Sequence, residues 1–223
     1  MTRWLLVSGV ASSVLYLALL IFVPLRWASY DAASFTVSEL SAIGAPTRSL
    51  WVPLALLWSL LYLGFGFGVW RSADSNRALR VSGVLIIAAG VLGLFWPPMH
   101  AREVLAAGGE TLTDQLHLVW AAANGLLTLL AVGFGAAALG KWFRLFSGVI
   151  LATLVLAGAA TSASASRVAA NLPTPWIGVW ERVNIGAWLL WVAVLALALI
   201  ERARLAIATP SSCERAPTHG MSP

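Results

Sequence analysis

Three residues that could bind a metal ion lie near the middle of the sequence: His100, Asp114 and His117. Asp114 and His117 are three residues apart, so a helix would present both on one face. With His100 they would supply three protein ligands, the number that a catalytic zinc site uses beside a bound water. One function predicted by this set is a zinc-dependent membrane hydrolase of lipid amides or esters, with Ser38, Asp114 and His117 as catalytic candidates.

The same residues also have a structural interpretation. Thr111 and Asp114 have the spacing of a capping box, so Asp114 is at least as well explained as the cap of a helix. His117 lies one turn further into an apolar run, where ionisable residues are costly and are commonly functional. A hydrogen-bonded polar cluster without a metal is the favoured interpretation, and the zinc site stays open as the alternative.

Other polar side chains are expected on the same side of the membrane as this cluster. The leading hypothesis is a pocket, facing away from the cytoplasm, that binds a lipid headgroup or a similar amphiphile. Its predicted residues are Ser38, Arg48, His100, Asp114, His117, Glu181 and Arg182. A third hypothesis is a non-catalytic membrane scaffold for partner proteins, and a homo-oligomer is compatible with each of these functions.

Glu181 and Arg182 are adjacent in sequence, so a helix points their side chains apart. We expect each to find a partner of opposite charge on another segment. The candidates for Glu181 are Arg48, Arg102 and Arg167, and those for Arg182 are Asp114 and Glu103. In the functional interpretation Arg182 is instead the fork that binds a headgroup or a carboxylate.

The segment before the second apolar run, residues 30–48, contains few charges and many small or apolar residues. Thr36 and Glu39 have capping-box spacing, and Gly44 is a stop signal, which predicts a short helix lying at the membrane interface. Alternatively the segment folds inward over the helices, in which case Ser38 and Ser41 would share a face.

The elements that must position these residues are membrane spans. The chain of 223 residues is 60% hydrophobic and 10% charged, whereas a soluble domain has about 25% charged residues. Apolar runs of about 20 residues are long enough to cross a bilayer as helices. The sequence predicts an all-α bundle with spans at residues 4–24, 50–70, 81–96, 116–140, 142–160 and 183–200.

Charge fixes the predicted orientation of this bundle. Nine Lys and Arg residues fall on the side of the chain termini and five on the other side, so both termini are expected in the cytoplasm of a plasma-membrane protein. The basic residues flank apolar runs and form no soluble patch, which argues against a nucleic-acid partner. Residues 1–205 are predicted to form the membrane domain, and residues 206–223 a disordered cytoplasmic tail.

Short motifs in the connections resemble those of the bacterial and archaeal domain-of-unknown-function family 998. They are SELSAIGAP at 38–46, FWPPMH at 95–100, DQLH at 114–117 and ERV at 181–183. The resemblance implies six helices with a polar cluster on one side, and it implies no activity. A looser resemblance, to membrane hydrolases related to alkaline ceramidases, implies a zinc held by three histidines, but the chain offers only His100 and His117 on this side.

Overall fold

The computed structural model describes residues 2–208, with side chains through Leu205, and these residues are helical apart from their connections. The α-helices are α1 (Thr2–Phe22), α2 (Arg48–Arg71), α3 (Arg77–Leu94), α4 (Arg102–Ala106), α5 (Leu112–Ala138), α6 (Lys141–Ser162), α7 (Ala165–Ala169) and α8 (Ile177–Ala208).

Six of these helices, α1, α2, α3, α5, α6 and α8, are long and apolar enough to cross a membrane. The prediction of an all-α protein with six spans is confirmed, and the chain is a multi-pass membrane protein. Helices are the expected solution, because every backbone N–H and C=O group in hydrocarbon must find its partner within the protein. Helix α8 continues through Ala208, beyond the predicted domain boundary at residue 205, and the rest of the predicted tail, 209–223, lies outside the described residues.

The spanning helices form a ring in which each packs against the next, in the order α1, α2, α3, α5, α6 and α8, and α8 closes the ring on α1. The α5–α6 side has the least extensive packing of the six. The connections 23–47, 95–111 and 163–176 meet at one end of the ring, which we call the long-loop end. The two short connections, 72–76 and 139–140, meet at the opposite end. There the Asn76 side chain donates to the carbonyl oxygen of Ala138, the last residue of α5, at 2.8 Å.

Local sequence signals explain the starts of α3 and α5. The Asn76 side chain accepts from the Leu79 N–H, so α3 begins four residues before the predicted span. Thr111 and Asp114 form the predicted capping box at the start of α5, with both of its hydrogen bonds present. The predicted interfacial helix in the first connection is not confirmed. That segment contains two 3-10 turns, and the one over Ser38–Ser41 is largely buried.

Two glycines allow close packing among α1, α2 and α3. A Cβ atom at Gly68 would lie 2.9 Å from the Leu5 carbonyl carbon, and one at Gly83 would lie 2.6 Å from the Trp70 backbone nitrogen. Because the obstacles are backbone atoms, a larger residue could be admitted only if the helices moved apart.

Replacing Gly83 with Leu should therefore loosen α3 from α2. We expect a loss of at least about 1–3 kcal/mol of stability, the usual effect of overpacking, seen as a lower midpoint of thermal unfolding in detergent. Gly133→Leu is the matched control, since a Cβ there meets nothing within 4 Å. Equal unfolding midpoints for the two variants would contradict this account of the packing.

Candidate ligand-binding site

Arg102, at the start of α4, ties the three long connections together. Its Nε and Nη2 atoms donate to the two carboxylate oxygens of Glu39 at 2.6 and 2.8 Å. Its Nη1 atom donates to the Thr174 hydroxyl at 3.2 Å, and its Nη2 atom also reaches the Ser34 carbonyl oxygen at 3.3 Å. The guanidinium lies 4.3 Å from the centre of the Phe35 ring. Both charged side chains of the pair are buried, at 7% and 2% exposure, so the bidentate geometry is needed to offset their desolvation.

Glu39 acts as a local cap and as a long-range partner at once. Its Oε2 atom accepts from the Thr36 N–H at 2.7 Å and from the Thr36 hydroxyl at 3.0 Å. The Glu39 N–H in turn donates to the Thr36 hydroxyl oxygen at 3.2 Å. The reciprocal bonds that the sequence spacing predicts are thus present around a 3-10 turn. The ion pair with Arg102 is an additional contact that fixes where this turn sits.

We call residues 30–41 of the first connection the roof. Hydrogen bonds from Arg182 of α8 fix the roof against that helix. Arg182 donates to the carbonyl oxygens of Ala32 at 2.8 Å and Gly178 at 3.0 Å, and to the Tyr30 hydroxyl at 2.7 Å. The Tyr30 hydroxyl donates onward to the Thr36 carbonyl oxygen at 2.8 Å. Burial raises the pKa of Tyr30 to about 12, and Arg182 opposes this rise only in part. The phenol therefore keeps the proton that this bond requires.

The prediction that Glu181 and Arg182 each pair with a side chain of opposite charge is wrong. Arg182 binds carbonyl oxygens and a phenol instead of Asp114. Glu181 accepts from the backbone N–H of Val37, in the roof, at 2.5 Å. Backbone groups replace charged side chains here because the roof lies directly against α8, as the bond from the Gly178 N–H to the Ala33 carbonyl oxygen shows.

His100, Asp114 and His117 organise the second connection. Asp114 accepts from the His100 N–H at 2.7 Å, and its other oxygen lies 2.9 Å from His100 Nδ1. The ring of His117 is engaged elsewhere, with Nδ1 2.8 Å from the Pro97 carbonyl oxygen. Within residues 2–208, no three His, Cys, Asp or Glu side chains form a group that could hold a metal ion. The geometry therefore does not fit the predicted zinc ligands.

A cavity of about 770 Å³ lies inside the ring beneath the roof. Val37, Ser38 and Ser41 of the roof line it, together with Glu181 of α8. Its walls are mainly apolar and aromatic, and the aromatic residues are Tyr16, Trp51, Trp58, Trp96, Trp120 and Trp188. This volume is within the range of about 300–1,000 Å³ typical of small-molecule pockets, as is an apolar lining with few polar groups.

The least packed side of the cavity wall lies between α5 and α6. Leu118 and Leu126 of α5 and Val155 of α6 all line it, and the same residues are 60%, 58% and 53% exposed. These exposed lining side chains and the sparse packing of α5 against α6 point to this side of the ring as the opening of the cavity.

Of the seven predicted ligand-binding residues, Ser38 and Glu181 line the cavity. Ser41 joins Ser38 there, as the inward-folding interpretation of the first connection predicts. The remaining predicted residues bind the protein itself around the cavity. They are Arg48, which donates to the Ser41 carbonyl oxygen and lies over the Trp96 ring, and His100, Asp114, His117 and Arg182.

Sequence reasoning missed most of the cavity wall. The rings of Tyr16 and Trp58 lie 4.9 Å apart, and those of Tyr16 and Trp51 lie 5.8 Å apart, although α1 and α2 carry them separately. The available signal was the placement of Trp58 and Trp188 well inside apolar runs rather than at their ends, where interfacial tryptophans are usual.

The fold and this site define an integral membrane protein with six spans around an internal cavity. The model of the family described as "Protein of unknown function (DUF998)" matches residues 10–198. The chain belongs to this family, as its motifs indicated. Comparisons with curated proteins and with solved structures found no match.

Replacing Glu39 with Gln should weaken the contacts among the three long connections and destabilise the protein, because it leaves the Arg102 charge buried without its partner. We expect a loss of about 3–5 kcal/mol, measured by unfolding in detergent. Adding Arg102→Met should recover part of this loss. Glu103→Gln, at an exposed neighbouring carboxylate, is the control and should leave stability within error of the wild type. A Glu39→Gln variant as stable as this control would show that the pair does not hold the connections.

Proposed function

We propose that this protein binds a membrane amphiphile, with the headgroup under the roof and the apolar part toward the gap between α5 and α6. The observation that carries this proposal is a cavity of about 770 Å³ within the spanning region, whose wall includes exposed apolar side chains of the sparsely packed helices α5 and α6. A soluble ligand would have no need of an opening in the hydrocarbon region, whereas a lipid can enter there without leaving the bilayer.

The distribution of polar groups in the cavity supports this proposal. Ser38, Ser41 and the one formally charged lining residue, Glu181, lie at the long-loop end. Further along the helices the lining is mainly apolar and aromatic, with polar exceptions that include Ser59, Asn124 and Thr128. An amphiphile has the same division, with one polar end and one apolar end. The roles of the predicted residues accordingly differ: Ser38 and Glu181 would touch the ligand, while Arg48 and Arg182 would position the roof.

The zinc hydrolase and the scaffold have less support from the geometry. Asp114 is committed to His100 and to the cap of α5, and His117 to the Pro97 carbonyl oxygen. No contact among the described residues links Ser38 to either side chain. A role in binding partner proteins or in forming a homo-oligomer stays a prediction.

Filling the cavity mouth should displace the ligand without disturbing the helices. Gly125 of α5 lines the cavity, and a Cβ there meets nothing within 4 Å. We expect Gly125→Leu to reduce the lipid that co-purifies with the protein at least severalfold, measured by mass spectrometry of extracts after delipidating washes.

Gly133→Leu is the control for this experiment. Gly133 lies on the same helix, equally free of neighbours, but outside the cavity lining. It should retain wild-type amounts of lipid. Equal lipid retention in Gly125→Leu, Gly133→Leu and wild type would count against the proposed function.

We further propose that the long-loop end faces away from the cytoplasm, so that the ligand comes from the outer leaflet of the plasma membrane. Within residues 2–208, eight Lys and Arg residues lie at the opposite end and five at the long-loop end, which supports this orientation by the positive-inside rule. A reporter fused after Pro223 should be active only as a cytoplasmic reporter. Activity of an extracytoplasmic reporter at that position would reverse the assignment of the two sides.

A further inference from the structure

One acidic residue of the cavity lining, Glu181, forms no ion pair within residues 2–208. Glu181 is the only formally charged residue in the cavity lining. The ion pairs within residues 2–208 join His100 to Asp114, Arg102 to Glu39 and Arg204 to Glu201, and none of them includes Glu181.

The neighbouring cations are turned toward other partners. Arg182 follows Glu181 on α8, but its guanidinium is bound by the Ala32 and Gly178 carbonyl oxygens and the Tyr30 hydroxyl. Arg102 is paired with Glu39. Glu181 receives a backbone hydrogen bond from Val37, which stabilises a carboxylate but does not neutralise its charge. Burial disfavours the charged form of a carboxyl group, and a positively charged ligand group beside it would stabilise that form.

Aromatic rings surround the same end of the cavity. Tyr16 packs against the apolar cluster that contains Val37 and Trp51, and the Val37 N–H is the group that binds Glu181. The ring of Tyr16 lies within 6 Å of both Trp51 and Trp58. Aromatic faces attract ammonium groups through their quadrupoles, and clusters of rings are used by proteins to bind quaternary ammonium groups.

Resting on the proposed function, we propose that the bound amphiphile is a lipid whose headgroup carries a positively charged nitrogen. That nitrogen would lie beside the Glu181 carboxylate and against the rings of Tyr16 and Trp51. The acyl chains would extend toward the gap between α5 and α6. The site would therefore select an amine-bearing lipid over an anionic lipid of the same chain length.

The test compares headgroup selection by wild-type protein and by Glu181→Gln, which removes the charge and keeps the shape. Each protein is reconstituted in bilayers of equal parts phosphatidylethanolamine and phosphatidylglycerol with identical chains, and the retained lipid is identified by mass spectrometry. We expect wild type to enrich phosphatidylethanolamine about tenfold, equivalent to about 1.4 kcal/mol. Glu181→Gln should retain lipid but lose this enrichment.

Glu110→Gln is the matched control, because Glu110 is an exposed carboxylate at the same end and outside the cavity lining. It should enrich phosphatidylethanolamine as wild type does. An equal loss of selection in Glu110→Gln and Glu181→Gln would assign the effect to surface charge and overturn the proposal.

A change in the ligand tests the same contact without altering the protein. N-acetylated phosphatidylethanolamine has no positive nitrogen, so wild type should lose its enrichment for this lipid, whether or not Glu181→Gln folds. Free ethanolamine at millimolar concentration should not release the bound lipid. Retained enrichment of the acetylated lipid, or release by free ethanolamine, would overturn the proposal.

The two proposals fail in different ways. If wild type holds lipid without preference and Gly125→Leu removes it, the amine selectivity is wrong and the proposed function stands. If wild type holds no lipid after washing, or Gly125→Leu holds as much as wild type, both proposals are wrong.

Discussion

The bidentate contact between Arg102 and Glu39 is the interaction on which the long-loop end depends. Hydrocarbon-facing helices hold themselves together by close packing, but their connections carry backbone polar groups that cannot be left unpaired. Arg102 meets this requirement for three connections at once, because one planar guanidinium reaches the Glu39 carboxylate, the Thr174 hydroxyl and the Ser34 carbonyl oxygen. Arg182 repeats the arrangement from α8. The result is a first connection that folds inward as a roof rather than lying on the membrane surface.

A fixed roof gives the interior of the ring two kinds of carboxylate. Glu39 lies within the roof, where it is buried and neutralised by Arg102. Glu181 lies beneath the roof, where it is bound by the Val37 N–H and exposed to the cavity. Glu39 thus stabilises the fold, whereas Glu181 is available to bind a ligand. The difference comes from which side of a single short segment each carboxylate faces.

The features that the sequence could predict are those that depend on neighbours along the chain. Apolar runs of sufficient length predict the six spans, and the three-residue spacing of Thr111 and Asp114 predicts the cap of α5. The contact between Arg102 and Glu39 joins residues that are 63 positions apart, so no local pattern indicates it. Glu181 was expected to need an arginine, but it binds a backbone N–H, a donor that every residue except proline possesses. The cavity was equally hidden, because its wall combines rings from separate helices.

The position of the opening between α5 and α6 determines how an occupant would be exchanged. The roof is bonded to α4 and α8, whereas α5 and α6 have the least extensive packing in the ring. If exchange takes place between α5 and α6, a lipid would pass between the bilayer and the cavity without entering water. Occupancy would then follow the mole fraction of the lipid in its leaflet and the lateral pressure on the two helices, and dilution of the aqueous phase would leave it unchanged.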